Sequence, residues 1–222
     1  MASITLMICS EYLPDGTGDE TRITEKAGVV HSPTSVSRDG RWLVFSEGGG
    51  PSGAAQWLVR IDAAASEAER VPKRFPMEES ANNGQISPDG KTIVFFAYRD
   101  GGYDIWAINP DGTNQRKLTW GTFDDREPVF SHDGTRIAFS SDRGDPLGSD
   151  YNIWTLDLRT GELKQVTKEK SEEFMPTWSP DGRYVAYVTW TSTGGAIKRA
   201  PATGGAPETL SRSDGYYLDP VY

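Results

Sequence analysis

SPDGKTIVFF, Ser87–Phe96, runs a turn phrase straight into an apolar run. Near copies stand at SRDGRWLVF (Ser37–Phe45), SHDGTRIAF (Ser131–Phe139) and SPDGRYVAY (Ser179–Tyr187), at intervals of 50, 44 and 48 residues. A single catalytic centre has no use for four copies of one turn. A fold built of repeated supersecondary units does. In SPDG the proline presets φ at the first central turn position and aspartate suits the next. Glycine then takes the positive φ of a three-residue hairpin with a bulge. The phrase therefore hinges a first strand to a second. NPDGTNQ (Asn109–Gln115) and LRTGEL (Leu158–Leu163) do the same between third and fourth strands.

Working outward, the stretch from Glu127 to Thr167 holds four short apolar runs separated by turn chemistry: PVFS, RIAFSS, YNIWTLDL and LKQVT. The other copies align with it. The chain reads as all-β, with complete four-stranded antiparallel units at about 34–75, 84–119, 127–167 and 175–210. Partial units occupy 1–24, which resembles only third and fourth strands, and 216–222, which resembles only a first strand. Four-stranded units of this length are the blades of a β-propeller, set radially so that each sheet packs on its neighbours. Trp106 and Trp154, in the matched DIW and NIW positions, are expected to pack between blades rather than stack on a ligand. AAASEAER (Ala63–Arg70) is the one plausible helical turn.

Composition agrees. The 222 residues include 24 glycines and 14 prolines, which suit a fold rich in tight turns. Seven tryptophans, nine tyrosines and eight phenylalanines suit pleated surfaces. A net charge of −9 argues against nucleic acid or an anionic membrane as partner. Cys9 is alone, so no disulfide framework is expected. ITLMIC (Ile4–Cys9) is too short for a signal-peptide core, and no run approaches the length of a membrane-spanning helix.

SPDGKTIVFFAYRDGGYDIWAINPDGTNQRKLT (Ser87–Thr119) and SHDGTRIAFSSDRGDPLGSDYNIWTLDLRTGELKQVT (Ser131–Thr167) resemble the WD40-like propeller repeats of the TolB family. Similar repeats occur in the non-catalytic propellers of tricorn-type and prolyl-oligopeptidase-type peptidases and ahead of some amidohydrolase domains. The resemblance covers nearly the whole chain. Units one and four depart from it, with QWLVRID and AIKRAP in place of DIW. It implies a ring of six or seven blades, of which this chain supplies four and two parts. A segment of a longer chain is expected over a small closed ring, with exposed sheet edges that favour association. Two functions are implied: a protein-interaction scaffold, or the substrate-gating propeller of a hydrolase whose catalytic domain lies elsewhere. TolB likeness also implies an exported, periplasmic or extracellular protein.

Motif hunting finds no catalytic constellation. GGGPSG (Gly48–Gly53) satisfies G-x-G-x-x-G but leads into another strand, whereas a dinucleotide site needs a helix N-terminus. GQISPDGKT (Gly84–Thr92) has five residues between its glycines, one too many for a phosphate loop, and Ser52 lacks the G-x-S-x-G elbow. His31 and His132 sit in different repeats, and with one cysteine they cannot build an ordinary structural zinc site. No cofactor is expected. Calcium at Asp142, Asp145 and Asp150 is conceivable, although the spacing is not that of an EF-hand.

The loops before the first strands carry the candidate binding residues: Glu78 and Glu79, Asp124, Asp125 and Arg126, Glu172 and Glu173, and Tyr216 with Asp219. In a propeller these loops lie at one mouth of the central channel. Converging carboxylates there would form a negative funnel for a basic peptide or a cation, with Arg126 inside it. The competing reading has Asp125, Glu127, Glu173 and Asp219 bonding neighbouring backbone amides and joining blades.

Overall fold

The computed structural model describes residues 23–24, 29–48, 54–76, 80–144, 150–192, 194–211, 215, 217 and 220. Among these residues sixteen strands form four antiparallel sheets, each in simple meander order. The first blade holds β1 (Val30–Val36), β2 (Trp42–Gly48), β3 (Ala55–Arg60) and β4 (Lys73–Arg74). The second holds β5 (Ala81–Ile86), β6 (Ile93–Arg99), β7 (Gly102–Ile108) and β8 (Arg116–Lys117). The third holds β9 (Asp125–Phe130), β10 (Arg136–Ser141), β11 (Asn152–Asp157) and β12 (Leu163–Gln165). The fourth holds β13 (Glu172–Trp178), β14 (Tyr184–Thr191), β15 (Gly194–Pro201) and β16 (Glu208–Thr209). Among the described residues there is no helix. Ala63–Arg70 holds only hydrogen-bonded turns, with Glu69 Oε2 accepting from the Ser66 amide at 2.9 Å.

The repeated phrase has one geometry in all four blades. Each serine hydroxyl donates to the aspartate two residues on: Ser37 to Asp39, Ser87 to Asp89, Ser131 to Asp133 and Ser179 to Asp181, at 2.6–2.7 Å. The same aspartate oxygen accepts the amide two residues further, as from Lys91 N at 3.1 Å. The serine oxygen accepts the amide five residues on, as from Thr92 N at 2.9 Å. That hydroxyl replaces the serine carbonyl, which instead takes the glycine amide. The loop is therefore four residues, not the three that turn chemistry suggested. Gly40, Gly90, Gly134 and Gly182 all sit at φ near +70° (67–72°), where a side chain would be strained. Ser, Asp and Gly are thus committed to the bend, and the second position carries no such duty.

Blades stack through alternate faces of their middle strands. Ile93, Phe95 and Ala97 on β6 point toward Val44 and Leu58 of the first blade. Val94, one residue out of phase, packs with Ile137, Phe139 and Phe130 of the third. Ala138, on the other face of β10, meets Trp178, Val185 and Tyr187 of the fourth. Both faces are buried, so these strands read as nearly continuous apolar runs rather than alternating ones. Trp106 borders the first joint and Trp154 the second, so both pack between blades as their matched positions suggest.

Strands one and four differ from the sequence reading. The first strands begin two to four residues earlier, at Val30, Ala81, Asp125 and Glu172, because pairing continues past a bulge in every blade. Asn83, Glu127 and Met175 occupy its positive-φ position, at 52–55°. The fourth strands shrink to two or three residues. Beyond them, Thr119 and Thr167 Oγ1 accept the Ile105 and Ile153 amides at 2.9 and 2.8 Å, taking over the ladder.

Candidate functional site

The first strands lie innermost and pack side by side, β5 on β1, β9 on β5 and β13 on β9. They line a recess of about 650 Å3 to which Thr34, Asn83, Glu127 and Met175 each contribute from a different blade. Antiparallel order puts the starts of β1, β5, β9 and β13 at one end of this recess, with the second-to-third strand loops. That end is the mouth.

The sequence candidates fall into two groups there. Glu78, Glu79, Tyr216 and Asp219 lie outside the described residues, as does Asp145 of the conceivable calcium loop. Asp124, Asp125, Arg126, Glu172 and Glu173 all sit at the mouth, but in different environments. Asp125 is fully buried and takes a two-pronged bond from Arg143, with Nε to Oδ1 at 3.1 Å and Nη2 to Oδ2. Arg143 Nε also reaches Ser141 Oγ at 3.0 Å. Glu173 is equally buried, accepting the Thr167 hydroxyl while its own amide donates to Tyr151 O at 3.0 Å. Burial and the nearby Glu169 carboxylate outweigh that hydroxyl and push the Glu173 pKa up to about 8. Glu172 is exposed.

Asp124 and Arg126 form a clamp. Asp124 Oδ1 accepts the Tyr103 amide at 3.0 Å, and Oδ2 accepts Arg126 Nη2 at 2.7 Å and the Tyr151 hydroxyl at 3.2 Å. Burial opposes these bonds, yet they hold the Asp124 carboxyl below its ordinary range. Burial also pushes the Tyr151 hydroxyl up to about 12, so it remains a donor. Asp142 Oδ1 accepts the Asp124 amide at 2.9 Å. The Arg126 guanidinium lies 4.3 Å from the Tyr103 ring centre and 5.5 Å from that of Tyr151.

From this clamp an aromatic row runs across three blades. Phe96 meets Tyr103 at 5.6 Å, Tyr151 meets Phe174 at 5.1 Å, and Phe174 meets Trp190 at 5.5 Å. Tyr98 flanks it, its ring 5.1 Å from that of Tyr103 and its side chain 49% exposed. Sequence reading missed this row because its members come from four different strands and the loop before β11. The signal available was an aromatic in or just before strands one to three of successive blades.

Two further contacts join blades. Glu127 Oε2 accepts the Met175 amide at 2.7 Å and the Ser140 hydroxyl at 3.0 Å, so one bulge holds the next. Glu127→Ala should cost about 1–3 kcal/mol, because it strips the Met175 amide of that acceptor. Urea titration measures this, and an unchanged midpoint would refute it. Thr24 Oγ1 and Glu47 Oε2 hold the two ring nitrogens of His31 at 2.8 and 3.1 Å. Despite its resemblance to a triad, this grouping is the first blade's counterpart of the Thr167–Glu173 link, since His31 and Glu173 hold matching positions on their first strands. Among the described residues no group of three or more His, Cys, Asp or Glu side chains has the arrangement of a metal site.

No family model matches the sequence. The chain is 40% identical over 152 residues to a TolB homolog of Chlorobium luteolum, covering 66% of this chain and 31% of that protein. It is 30% identical over 226 residues to the uncharacterized peptidase YuxL of Bacillus subtilis, covering 85% and 30%. Among solved structures, TolB from Acinetobacter baumannii superposes with a TM-score of 0.74 at 24% identity, covering 94% of this chain and 49% of that one. The chain spans about a third of the length of the first two relatives.

Proposed function

Because the chain has the TolB-like β-propeller fold, we propose that it is a binding scaffold whose mouth holds an extended basic segment of a partner polypeptide. The observation that carries this reading is the aromatic row, Tyr103–Arg126–Tyr151–Phe174–Trp190, laid across three blades and flanked by exposed Tyr98. Aromatic faces supply area at low entropic cost and attract cations. Of the carboxylates at the starts of the first strands, Asp125 and Glu173 are buried in joints and Asp124 is held by Arg126. Glu172, exposed at the start of β13, is the one of these left to meet a lysine or arginine of the partner.

Titration of the protein with a lysine-rich peptide should change tryptophan fluorescence saturably. Tyr98→Ala and Glu172→Lys should each weaken binding roughly tenfold, the change expected for losing an anchor or reversing a contact charge. Equal binding of an acidic peptide, or no loss in either variant, would refute the reading.

A second reading rests on the 30% identity to YuxL. On that reading the same mouth admits substrate to a hydrolase domain of the intact protein. The sequence flanking this chain decides between them, by the presence or absence of a G-x-S-x-G elbow after the propeller.

A further inference from the structure

The rim opposite the mouth is formed by the Ser-x-Asp-Gly bends, and it holds a second recess of about 480 Å3 between the second and third blades. Its floor is apolar: Val94 and Phe130 are buried there and Leu118 is half-buried. Its edges are charged. Arg38 and His132 come from the second position of two bends, the position that the turn geometry leaves uncommitted, and Arg116 comes from β8.

The carboxylates at this edge are spoken for. Asp89 accepts the Ser87 hydroxyl at 2.7 Å and the Lys91 amide at 3.1 Å. Asp133 accepts the Ser131 hydroxyl at 2.6 Å and both the amide and hydroxyl of Thr135 at 3.0 and 2.9 Å. These bonds, the serine hydroxyl first, hold both carboxyls below their ordinary range. The cations have no such partners. Arg116 reaches only the Asn114 carbonyl, at 3.5 Å, and among the described residues Arg38 has no hydrogen bond or ion pair. Two exposed guanidiniums thus overhang a hydrophobic floor, with no ion pair to either among the described residues.

We propose that this recess binds a small aliphatic carboxylate, with the carboxylate on Arg38 and Arg116 and the aliphatic body against Leu118, Phe130 and Val94. The volume falls in the range of small-molecule pockets. A planar fork of N–H donors matches a carboxylate geometrically, and apolar burial supplies the remainder of the affinity. The site is independent of the mouth, being at the other ends of the same strands.

N-acetyl-leucine, titrated into isotope-labelled protein, tests the assignment. Amide resonances of Val94, Leu118 and Phe130 should shift saturably, with an affinity that falls as salt rises. Arg38→Gln and Arg116→Gln should each weaken binding roughly fivefold or more, as expected for losing a charge-assisted bond. Both arginines are exposed, so unchanged thermal melts should show that the variants fold. N-acetyl-leucinamide, with the same body and no charge, should bind far more weakly. Equal binding by the amide, unaltered binding in both variants, or no saturable shift would overturn the proposal. Equal binding of inorganic phosphate would overturn its aliphatic half, leaving a simple anion site.

Discussion

Arg143→Met should destabilise the protein by about 3–5 kcal/mol, the usual cost of leaving a buried charge without its partner. Asp125 is 0% exposed and receives both prongs of the Arg143 fork. Its mate lies over Phe139 at 5.7 Å and Trp154 at 5.8 Å, in surroundings that offer the stranded carboxylate little water. For a domain of this size the loss corresponds to a drop of roughly 10 °C in Tm. Methionine retains most of the arginine stem's bulk, so the effect reports the charge rather than a cavity. Removing both partners is expected to recover most of the stability, since a neutral pair leaves no uncompensated ion. The double variant Asp125→Asn, Arg143→Met is therefore the control. If thermal unfolding shows it no more stable than Arg143→Met alone, packing and not the ion pair holds this corner.

Stability should fall as pH rises from about 4.5 to about 8, and Glu173 should account for a large share of the fall. Its pKa is 4.5 in an ordinary setting and about 8 in the fold. Between those values the folded state holds a proton that the unfolded state has released. The stabilisation is complete below the lower value and lost as pH passes the higher. Each tenfold gain in proton affinity on folding is worth about 1.4 kcal/mol, so the total is on the order of a few kcal/mol. Burial gives the sign, and Glu169 adds negative charge while engaged with Lys198 at 2.8 Å and with the Tyr187 hydroxyl at 3.3 Å. Thr167 supplies the opposing hydroxyl bond. Glu173→Gln keeps the shape and removes the titration. Its Tm should be nearly level between pH 6 and 9 where the parent loses roughly 5–10 °C more. Parallel curves for the two proteins would dismiss Glu173 as the source.

The repeat was legible because its determinants are local. Ser, Asp and Gly of each bend satisfy one another within six residues, so the four copies could be recognised without knowing what packs on them. The apolar runs after each bend belong to strands buried on both faces, which needs no partner identity either. Propeller blades followed from that spacing alone. The first-strand starts were another matter. A bulge shifts register where Glu127 and Met175 take positive φ, conformations that their residue types give no reason to expect.

The fate of the mouth residues was decided still later. Asp124, Asp125 and Arg126 are neighbours in sequence, yet one is clamped between tyrosines' blades, one is sealed beneath Arg143, and one lies over aromatic rings. Successive strand residues point to opposite faces, and only the adjoining blade determines which face is wet. Glu172 and Glu173 part in the same way, one exposed and one buried. Local chemistry settles where a chain bends and which strands it makes. Which of its charges remain in water depends on surfaces brought together from distant parts of the chain.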